Sequence, residues 1–318
     1  MEELLKKSEE ILTNNIGCYL DPKTKEILTL SILGVILVKG KEAIDKFPEV
    51  LKTLTVISDN RSVVEIAHQE LENYREDEKL SIADACMTRT IEYKNNKIEE
   101  QRTLIISLLH EKSSTVISQV AISMHEFFHL LRFGNVEKTQ SGFIIHDGVS
   151  YAMVDDKLNM KRRKHFYIEE GIVENNTKEG IDQLKMFLQD YNAKCSPVIE
   201  SYKKALLQGA YEYHGHEMAK ELVASLYRDP EFKDKANNLE EQCSRPSALA
   251  KYFDSVAGFG SFNAFSRNFD ELVYKHEFLV GTNEEILIKP KMQSLCSEIN
   301  TFLAKSNKTP IIYKAKNM

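Results

Sequence analysis

Apolar residues recur at intervals of three and four positions along most of the chain, which is the spacing of one face of an α-helix. Up to about residue 80 the spacing recurs in successive segments, the first of which has Leu4, Leu5, Ile11 and Leu12 on one side. The most apolar run, residues 27–38, is interrupted by hydroxyl side chains and is shorter than the roughly 20 residues that cross a bilayer. It predicts a core helix or a buried strand.

Near residue 83 the helical spacing gives way to alternation, as in a β-strand. Residues 86–94 and 97–109 are rich in residues that favour strands, and they flank the turn signal Asn95-Asn96. This pattern predicts a β-hairpin. It comes shortly before a helical stripe that runs from about residue 116 to Phe133-Gly134, where Gly134 is the expected C-cap.

A second alternating stretch follows that helix. Residues 142–145 and 149–154 flank Asp147-Gly148, a dipeptide that favours tight hairpin turns. The basic run at residues 161–164 is then expected to be an exposed loop, because a run of like charges prefers water.

Beyond residue 178 the chain returns to helical spacing. The candidate helices there are residues 182–191, 197–213, 217–227 and 271–279. Together these patterns predict an α+β fold that is predominantly helical, with a small antiparallel sheet. They divide the chain into a helical region (1–82), a core (83–195) and a second helical region (196–318), although one continuous unit is an alternative.

Composition narrows the class of protein. The chain has 42% hydrophobic and 28% charged residues and a net charge of −6, which is ordinary for a globular protein and gives no basic patch for nucleic acid. Its five cysteines are scattered and form no C-x-x-C pair, which favours a reducing compartment. The N-terminus has no signal-peptide pattern, so the expected location is the cytoplasm, with no integral membrane segment. Oligomeric state stays open.

The helix that follows the first hairpin contains His125, Glu126 and His129, in the pattern H-E-x-x-H. Positions i and i+4 lie on one helix face, so two imidazoles there can bind one zinc ion from the same side. Glu126 lies beside them and can reach a water on that metal. The alternative is a buried amphipathic helix whose histidines have ordinary hydrogen-bond partners.

A second group of acidic residues lies in the segment 166–174, which also has helical character. Glu170 and Glu174 are one turn apart, and Glu169 lies beside them. Carboxylates at this spacing repel each other by a few tenths of a kcal/mol on an exposed helix. If they face a cation and an imidazole, they are stabilised instead. A solvated acidic face is the alternative.

The two motifs together resemble the gluzincin class of zinc metallopeptidases, the thermolysin-like group. The resemblance covers residues 120–174 and implies a zincin-type active site on two helices. It implies one zinc ion per chain, held by His125, His129 and Glu170. Glu126 would be the catalytic base that activates a zinc-bound water, and Glu174 would orient a ligand histidine.

The chain departs from that class in two ways. The interval between His129 and Glu170 is longer than in thermolysin-like members, which leaves Glu169 as a competing ligand and His146 and His165 as weaker ones. Members of the class also use a downstream His or Tyr to stabilise the oxyanion. The candidates for that role here are Tyr211, Tyr213, His214 and His216, and a polar helix terminus is an equal explanation of the cluster.

The expected function is therefore a zinc-dependent hydrolase of the H-E-x-x-H class, a metallopeptidase that acts on a peptide or protein. The upstream hairpin would supply the sheet edge along which an extended substrate binds. Three alternatives stay open. They are a zincin-fold binding or regulatory protein without activity, a protease effector or toxin exported without a leader, and a helical interaction protein with a chance motif.

Overall fold

The structure is a computed structural model, and it describes residues 2–16, 19–59, 61–70, 85–94, 97–107, 116–157, 159–191, 196–208, 216–239, 247–279 and 288–306. The helices in these ranges are α1 (Glu2–Asn15), α2 (Pro22–Lys39), α3 (Lys41–Leu51), α4 (Val63–Glu70), α5 (Val116–Arg132), α6 (Phe166–Gln189), α7 (Pro197–Leu207), α8 (Glu217–Leu226), α9 (Pro230–Asn237), α10 (Ala248–Ala257), α11 (Ser261–Leu279) and α12 (Ile288–Lys305). The strands are β1 (Leu54–Asp59), β2 (Ala85–Lys94), β3 (Lys97–Ser107), β4 (Phe133–Thr139), β5 (Gly142–Asp147), β6 (Ser150–Val154) and β7 (Met160–Lys164). The predominantly helical α+β class is confirmed.

The strands form two small sheets, with the orders β1-β3-β2 and β4-β5-β6-β7. The two predicted hairpins are confirmed: β2 pairs antiparallel with β3, and β5 pairs antiparallel with β6. The first sheet is mixed, because β1 runs parallel to β3. The sequence did not indicate β1, since six residues have little pattern of their own and the strand depends on its distant partner.

By internal contacts the chain divides into two compact units. The first unit comprises Met1–Leu131 and Asn176–Tyr213, and the second comprises Arg132–Asn175 and His214–Met318. The prediction of three consecutive regions stays a prediction.

In the first unit, α2 is the central helix. Its residues from Ile27 to Ile36 are buried on every side, so the most apolar run of the sequence is a core helix and not a strand. Pro22 begins the helix, and the Asp21 carboxylate accepts hydrogen bonds from the backbone N–H groups of Lys23 and Thr24. α2 is therefore capped at its start and buried from Ile27 to Ile36.

The second unit is built on an aromatic core. Phe253 stacks on Phe302 with ring centroids 4.4 Å apart and stacks on Phe265 at 5.0 Å. These contacts join α10, α11 and α12. Offset or stacked aromatic pairs of this kind contribute about 0.5–1.5 kcal/mol beyond the area they bury.

Three local expectations were wrong. The basic run is the edge strand β7 and not a loop, although Lys161, Arg162 and Arg163 are exposed as expected. Gly134 lies inside β4, which begins directly after α5, and so it does not cap the helix. The segments 166–174 and 182–189 belong to one long helix, α6, which ends at Gln189 and not at Tyr191.

Candidate metal centre

α5 brings the two motif histidines together on one face. The Nε2 atoms of His125 and His129 are 3.1 Å apart, and their ring centroids are 4.7 Å apart. His125 is buried and His129 is partly exposed. The intervening Phe127 and Phe128 are fully buried, as expected for a helix in the core. The spacing in the sequence therefore becomes a close pair of imidazole nitrogens.

Packing against α2 holds the opposite side of α5. The Ser31 hydroxyl donates to the backbone carbonyl of Val120, at 2.9 Å. Met124, which precedes His125, lies between Gly34 on α2 and Gly180 on α6, and a Cβ at either glycine would overlap its side chain. The backbones can approach closely there because both positions lack a side chain. This packing fixes the register of α5 next to the histidines.

Glu170 completes the group. The ligand atoms of His125, His129 and Glu170 all lie within 4.8 Å of one another. Glu170 lies in the first turns of α6 and is 6% exposed, so its carboxylate is nearly removed from water. Two imidazoles and a buried carboxylate in this arrangement are compatible with binding a metal ion.

The long interval between His129 and Glu170 has a structural explanation. It contains the last residues of α5 and the whole sheet β4-β5-β6-β7, in which neighbouring strands pair antiparallel. An antiparallel meander needs only short connections, so it lengthens the chain without moving its ends far apart. The extra residues are therefore accommodated as a sheet before α6 begins.

Glu169, the predicted competitor of Glu170, has a different partner. It forms a bidentate ion pair with Arg132, in which Nε donates to Oε1 and Nη2 donates to Oε2 at 3.0 Å. Glu169 also accepts a hydrogen bond from the backbone N–H of Val149, at 2.8 Å. Both charged side chains are buried, at 0% and 2% exposure. Glu169 is thus paired with Arg132 and is not part of the candidate ligand group.

Sequence reasoning missed Arg132. It lies three residues after His129 and seven after His125, so it continues the histidine face of α5. An arginine on that face, together with two adjacent glutamates on the next helix, was a usable signal. It indicates that one glutamate neutralises the arginine while the other stays available as a ligand.

The two weaker ligand candidates also lie elsewhere. His146 on β5 is hydrogen-bonded through Nε2 to the Glu137 carboxylate, at 3.1 Å. His165 precedes α6 with a φ of 60° and is hydrogen-bonded through Nδ1 to the Ser266 hydroxyl. Neither belongs to the His125, His129 and Glu170 group.

Two acidic candidates remain, Glu126 on α5 and Glu174 on α6. Glu126 lies between the histidines in the sequence and is partly exposed. Glu174 lies one turn after Glu170 on α6 and is fully buried. Their roles as base and as orienting partner stay predictions.

One of the four downstream candidates is close to the site. The Nε2 atom of His216 lies 3.6 Å from Oε2 of Glu170. His216 precedes α8 with a φ of 35°, in the left-handed region, and its side chain is 28% exposed. Tyr211, Tyr213 and His214 lie outside the described residues. Of the four downstream candidates, His216 is therefore the one that the structure describes, and it lies beside Glu170.

Gly171 allows α8 to approach α6 closely beside Glu170. A Cβ at this position would lie 2.5 Å from the backbone carbonyl oxygen of Ala219 on α8. A real side chain does not tolerate that distance to a rigid backbone atom, so the helices touch only because the residue after Glu170 is glycine.

The first turn of α6 is also held by a carboxylate from α11. Asp270 accepts a hydrogen bond from the backbone N–H of Tyr167 at 2.9 Å, and it interacts with those of His165 and Phe166. Burial raises the pKa of Asp270 to about 6, although these N–H groups and the nearby charge of Arg163 act in the opposite direction. The turn that precedes Glu169 and Glu170 therefore depends on a titratable cap.

Comparisons with protein-family models, with curated proteins and with solved structures find no match to this chain. The gluzincin resemblance accordingly stays a prediction. Among the described helices, none combines the length and the apolar character that crossing a bilayer requires.

Proposed function

We propose that this chain is a zinc-dependent metallopeptidase. The observation that carries the proposal is the convergence of one ligand atom each from His125, His129 and Glu170 to within 4.8 Å. Two histidines and one glutamate are the donor set of many catalytic zinc sites, which leave a further position for water. The proposal rests on this donor set and on Glu126, which lies beside the histidines in the motif.

The distance between the two histidine nitrogens is compatible with zinc. Two nitrogen ligands of a tetrahedral zinc ion, each at about 2.0–2.1 Å, lie roughly 3.3 Å from each other. The Nε2 atoms of His125 and His129 are 3.1 Å apart. Little movement of the rings is therefore needed to bind one ion.

Each side chain then has a defined task. His125, His129 and Glu170 hold the ion. A zinc ion at this position would polarise a carbonyl oxygen and lower the pKa of water. Glu126 takes a proton from the attacking water as general base and later delivers it to the leaving amine. The partial exposure of Glu126 and His129 gives substrate a path to these groups.

Two further residues support the reaction in this proposal. Glu174 accepts the Nδ1–H of one ligand histidine and so fixes its tautomer. His216 donates to the oxygen on which negative charge develops, and the support for this role is the 3.6 Å between its Nε2 atom and Oε2 of Glu170.

The decisive experiment combines metal content with hydrolysis. The purified chain, prepared without chelators, should contain about one zinc ion, and His129→Ala should lose it. Glu126→Gln should keep the zinc and lose at least about 100-fold in the rate of hydrolysis of a peptide library, since general base catalysis contributes 10²–10⁴-fold. Glu179→Gln, a change of the same kind farther along α6, is the matched control and should keep both.

The outcomes separate the alternatives. A wild-type chain without bound zinc would sink the proposal. Zinc at full occupancy with no hydrolysis of any peptide would instead favour a binding or regulatory protein. Equal activity in Glu126→Gln and in wild type would remove Glu126 as the base.

A further inference from the structure

Arg132 is the largest fully buried side chain among the described residues, and its position is unusual. It is the last residue of α5 and lies on the same face as His125 and His129. Burying an arginine is unfavourable unless its charge is paired and its N–H groups are all satisfied. Such a residue at the end of the motif helix therefore requires an explanation.

The partners of Arg132 come from three parts of the second unit. Its guanidinium binds both carboxylate oxygens of Glu169 on α6, and Nη1 donates to the carbonyl oxygen of Ala236 near the end of α9, at 2.8 Å. Its backbone carbonyl accepts from the N–H of Gly148, at 2.7 Å. Arg132 thus connects the end of α5 to α6, to α9 and to the turn between β5 and β6.

Glu169 is held just as firmly from the other side. One of its oxygens accepts from the N–H of Val149, and a Cβ at Gly148 would overlap its carboxylate. Gly148 has a φ of 62°, which suits glycine and allows the turn to close over the carboxylate. The ion pair is therefore enclosed by backbone and has one geometry.

We propose that Arg132 is a positioning residue for the metal centre and acts on Glu170 through Glu169. The ion pair joins the end of α5, three residues after His129, to the residue directly before Glu170. Because helices are stiff, fixing these two points fixes the approach of the Glu170 carboxylate to the histidines. The pairing also neutralises Glu169 and keeps a second carboxylate out of the ligand group.

The arginine side chain suits this role better than lysine. Its planar fork binds both oxygens of one carboxylate and so sets orientation as well as distance, whereas a lysine ammonium acts as a point charge. The inference rests on the metal site of the proposed function but not on peptide hydrolysis, so the two can fail separately.

The test measures zinc affinity in the full chain by competition with a chelator, alongside the visible absorption spectrum of the cobalt(II)-substituted protein. Arg132→Met and Glu169→Gln should each raise the zinc dissociation constant by about 10–100-fold, as the loss of an outer partner does. Both should also alter the cobalt spectrum, which a purely structural role would leave unchanged. Arg132→Lys should fall between wild type and Arg132→Met.

The matched control is Arg89→Met. Arg89 on β2 pairs with Glu100 at 2.8 Å, so the same kind of contact is removed from a sheet that supplies none of the three ligands. Its thermal stability should fall while zinc affinity and the cobalt spectrum stay as in wild type. If Arg132→Met does not fold by circular dichroism, Glu169→Gln and Arg132→Lys carry the test.

Wild-type zinc affinity and an unchanged cobalt spectrum in the folded variants would overturn this inference alone. Absence of zinc from the wild-type chain would overturn it together with the proposed function. Weakened zinc binding in the variants of a chain that hydrolyses no peptide would support the inference and reject the peptidase.

Discussion

Glu169 and Glu170 are adjacent buried carboxylates in the first turns of α6, and their surroundings differ. Around Glu169 the protein supplies its own cation, Arg132, together with a backbone N–H. Around Glu170 it supplies three histidines, His125, His129 and His216. The first region is a closed ion pair, and the second is a set of ligand-type side chains.

The difference shows how adjacent residues of the same type acquire different chemistry. Glu169 and Glu170 are both nearly fully buried, so exposure does not distinguish them. Successive residues of a helix point about 100° apart, since 3.6 residues make one turn, so each carboxylate faces different neighbours. The identity of those neighbours decides whether a carboxylate stabilises the fold or is available to a metal.

Glu170→Ala is the most direct test of this comparison, because it removes the carboxylate assigned as a metal ligand. The variant should lose zinc affinity by more than the roughly 10–100-fold that an outer partner contributes, because a direct ligand is removed. Its metal-free stability should fall by less than in Glu169→Ala, since His216, the charged neighbour of Glu170, is 28% exposed whereas Arg132 is fully buried. Isothermal titration with zinc and urea unfolding in a chelator measure the two quantities. A variant with wild-type zinc affinity would contradict the assignment of Glu170.

Glu169→Ala should show the opposite balance. It leaves the Arg132 guanidinium buried without its partner, and breaking a buried ion pair in this way destabilises a protein by about 3–5 kcal/mol. The free energy of unfolding in a chelator, from urea titration, is the measurement. Lys178→Ala, which removes an exposed pair with Asp182 on the same helix, is the control and should change the free energy by less than about 1 kcal/mol. Similar losses of unfolding free energy in Glu169→Ala and Lys178→Ala would contradict the comparison.

Asp270 provides a pH-dependent test of the same turn. Its pKa in the folded chain, about 6, lies above its ordinary value of 3.8, so the folded state binds the proton more tightly than the unfolded state. Its contribution to stability is therefore fully present below about pH 4 and is lost as the pH rises through 6.

The measurement is the difference in unfolding free energy between wild type and Asp270→Asn across pH 3.5–7.5. Wild type should lose up to about 3 kcal/mol relative to the variant as the pH rises, from 1.36 kcal/mol per pKa unit. A difference that is independent of pH would show that Asp270 is not buried as described. The opposite slope would show that its carboxylate is stabilised as an anion.

The smallest expected effect comes from Gly171→Ala. The added methyl meets the backbone carbonyl oxygen of Ala219, and overpacking of this kind destabilises by about 1–3 kcal/mol despite the better helix propensity of alanine. Gly34→Ala is the comparison, because its methyl would meet the flexible end of Met124 and should therefore cost less. Thermal unfolding measures both. A larger loss in Gly34→Ala would mean that Met124 is held more rigidly than the α8 backbone.

Local patterns in the sequence were enough for much of the fold around the site. The helical stripe located α5, and the Asn-Asn and Asp-Gly signals located both hairpins, because each depends on contacts between residues close in the chain. β7 was missed because four of its five residues are charged and nearly all are exposed, so it has no alternation of apolar and polar positions. β1 was missed because its partner β3 is almost fifty residues away in the sequence.

By itself, the sequence determined the histidine pair: residues four apart on one helix must share a face, so His125 and His129 meet wherever α5 lies. It also determined that three glutamates, Glu169, Glu170 and Glu174, follow in another helical segment. Only the tertiary structure decided which glutamate joins the histidines, because that choice depends on Arg132, Val149 and Gly148, which surround Glu169 from outside α6. Periodicity within a helix records its own faces, but the partner of each face is set by packing between elements.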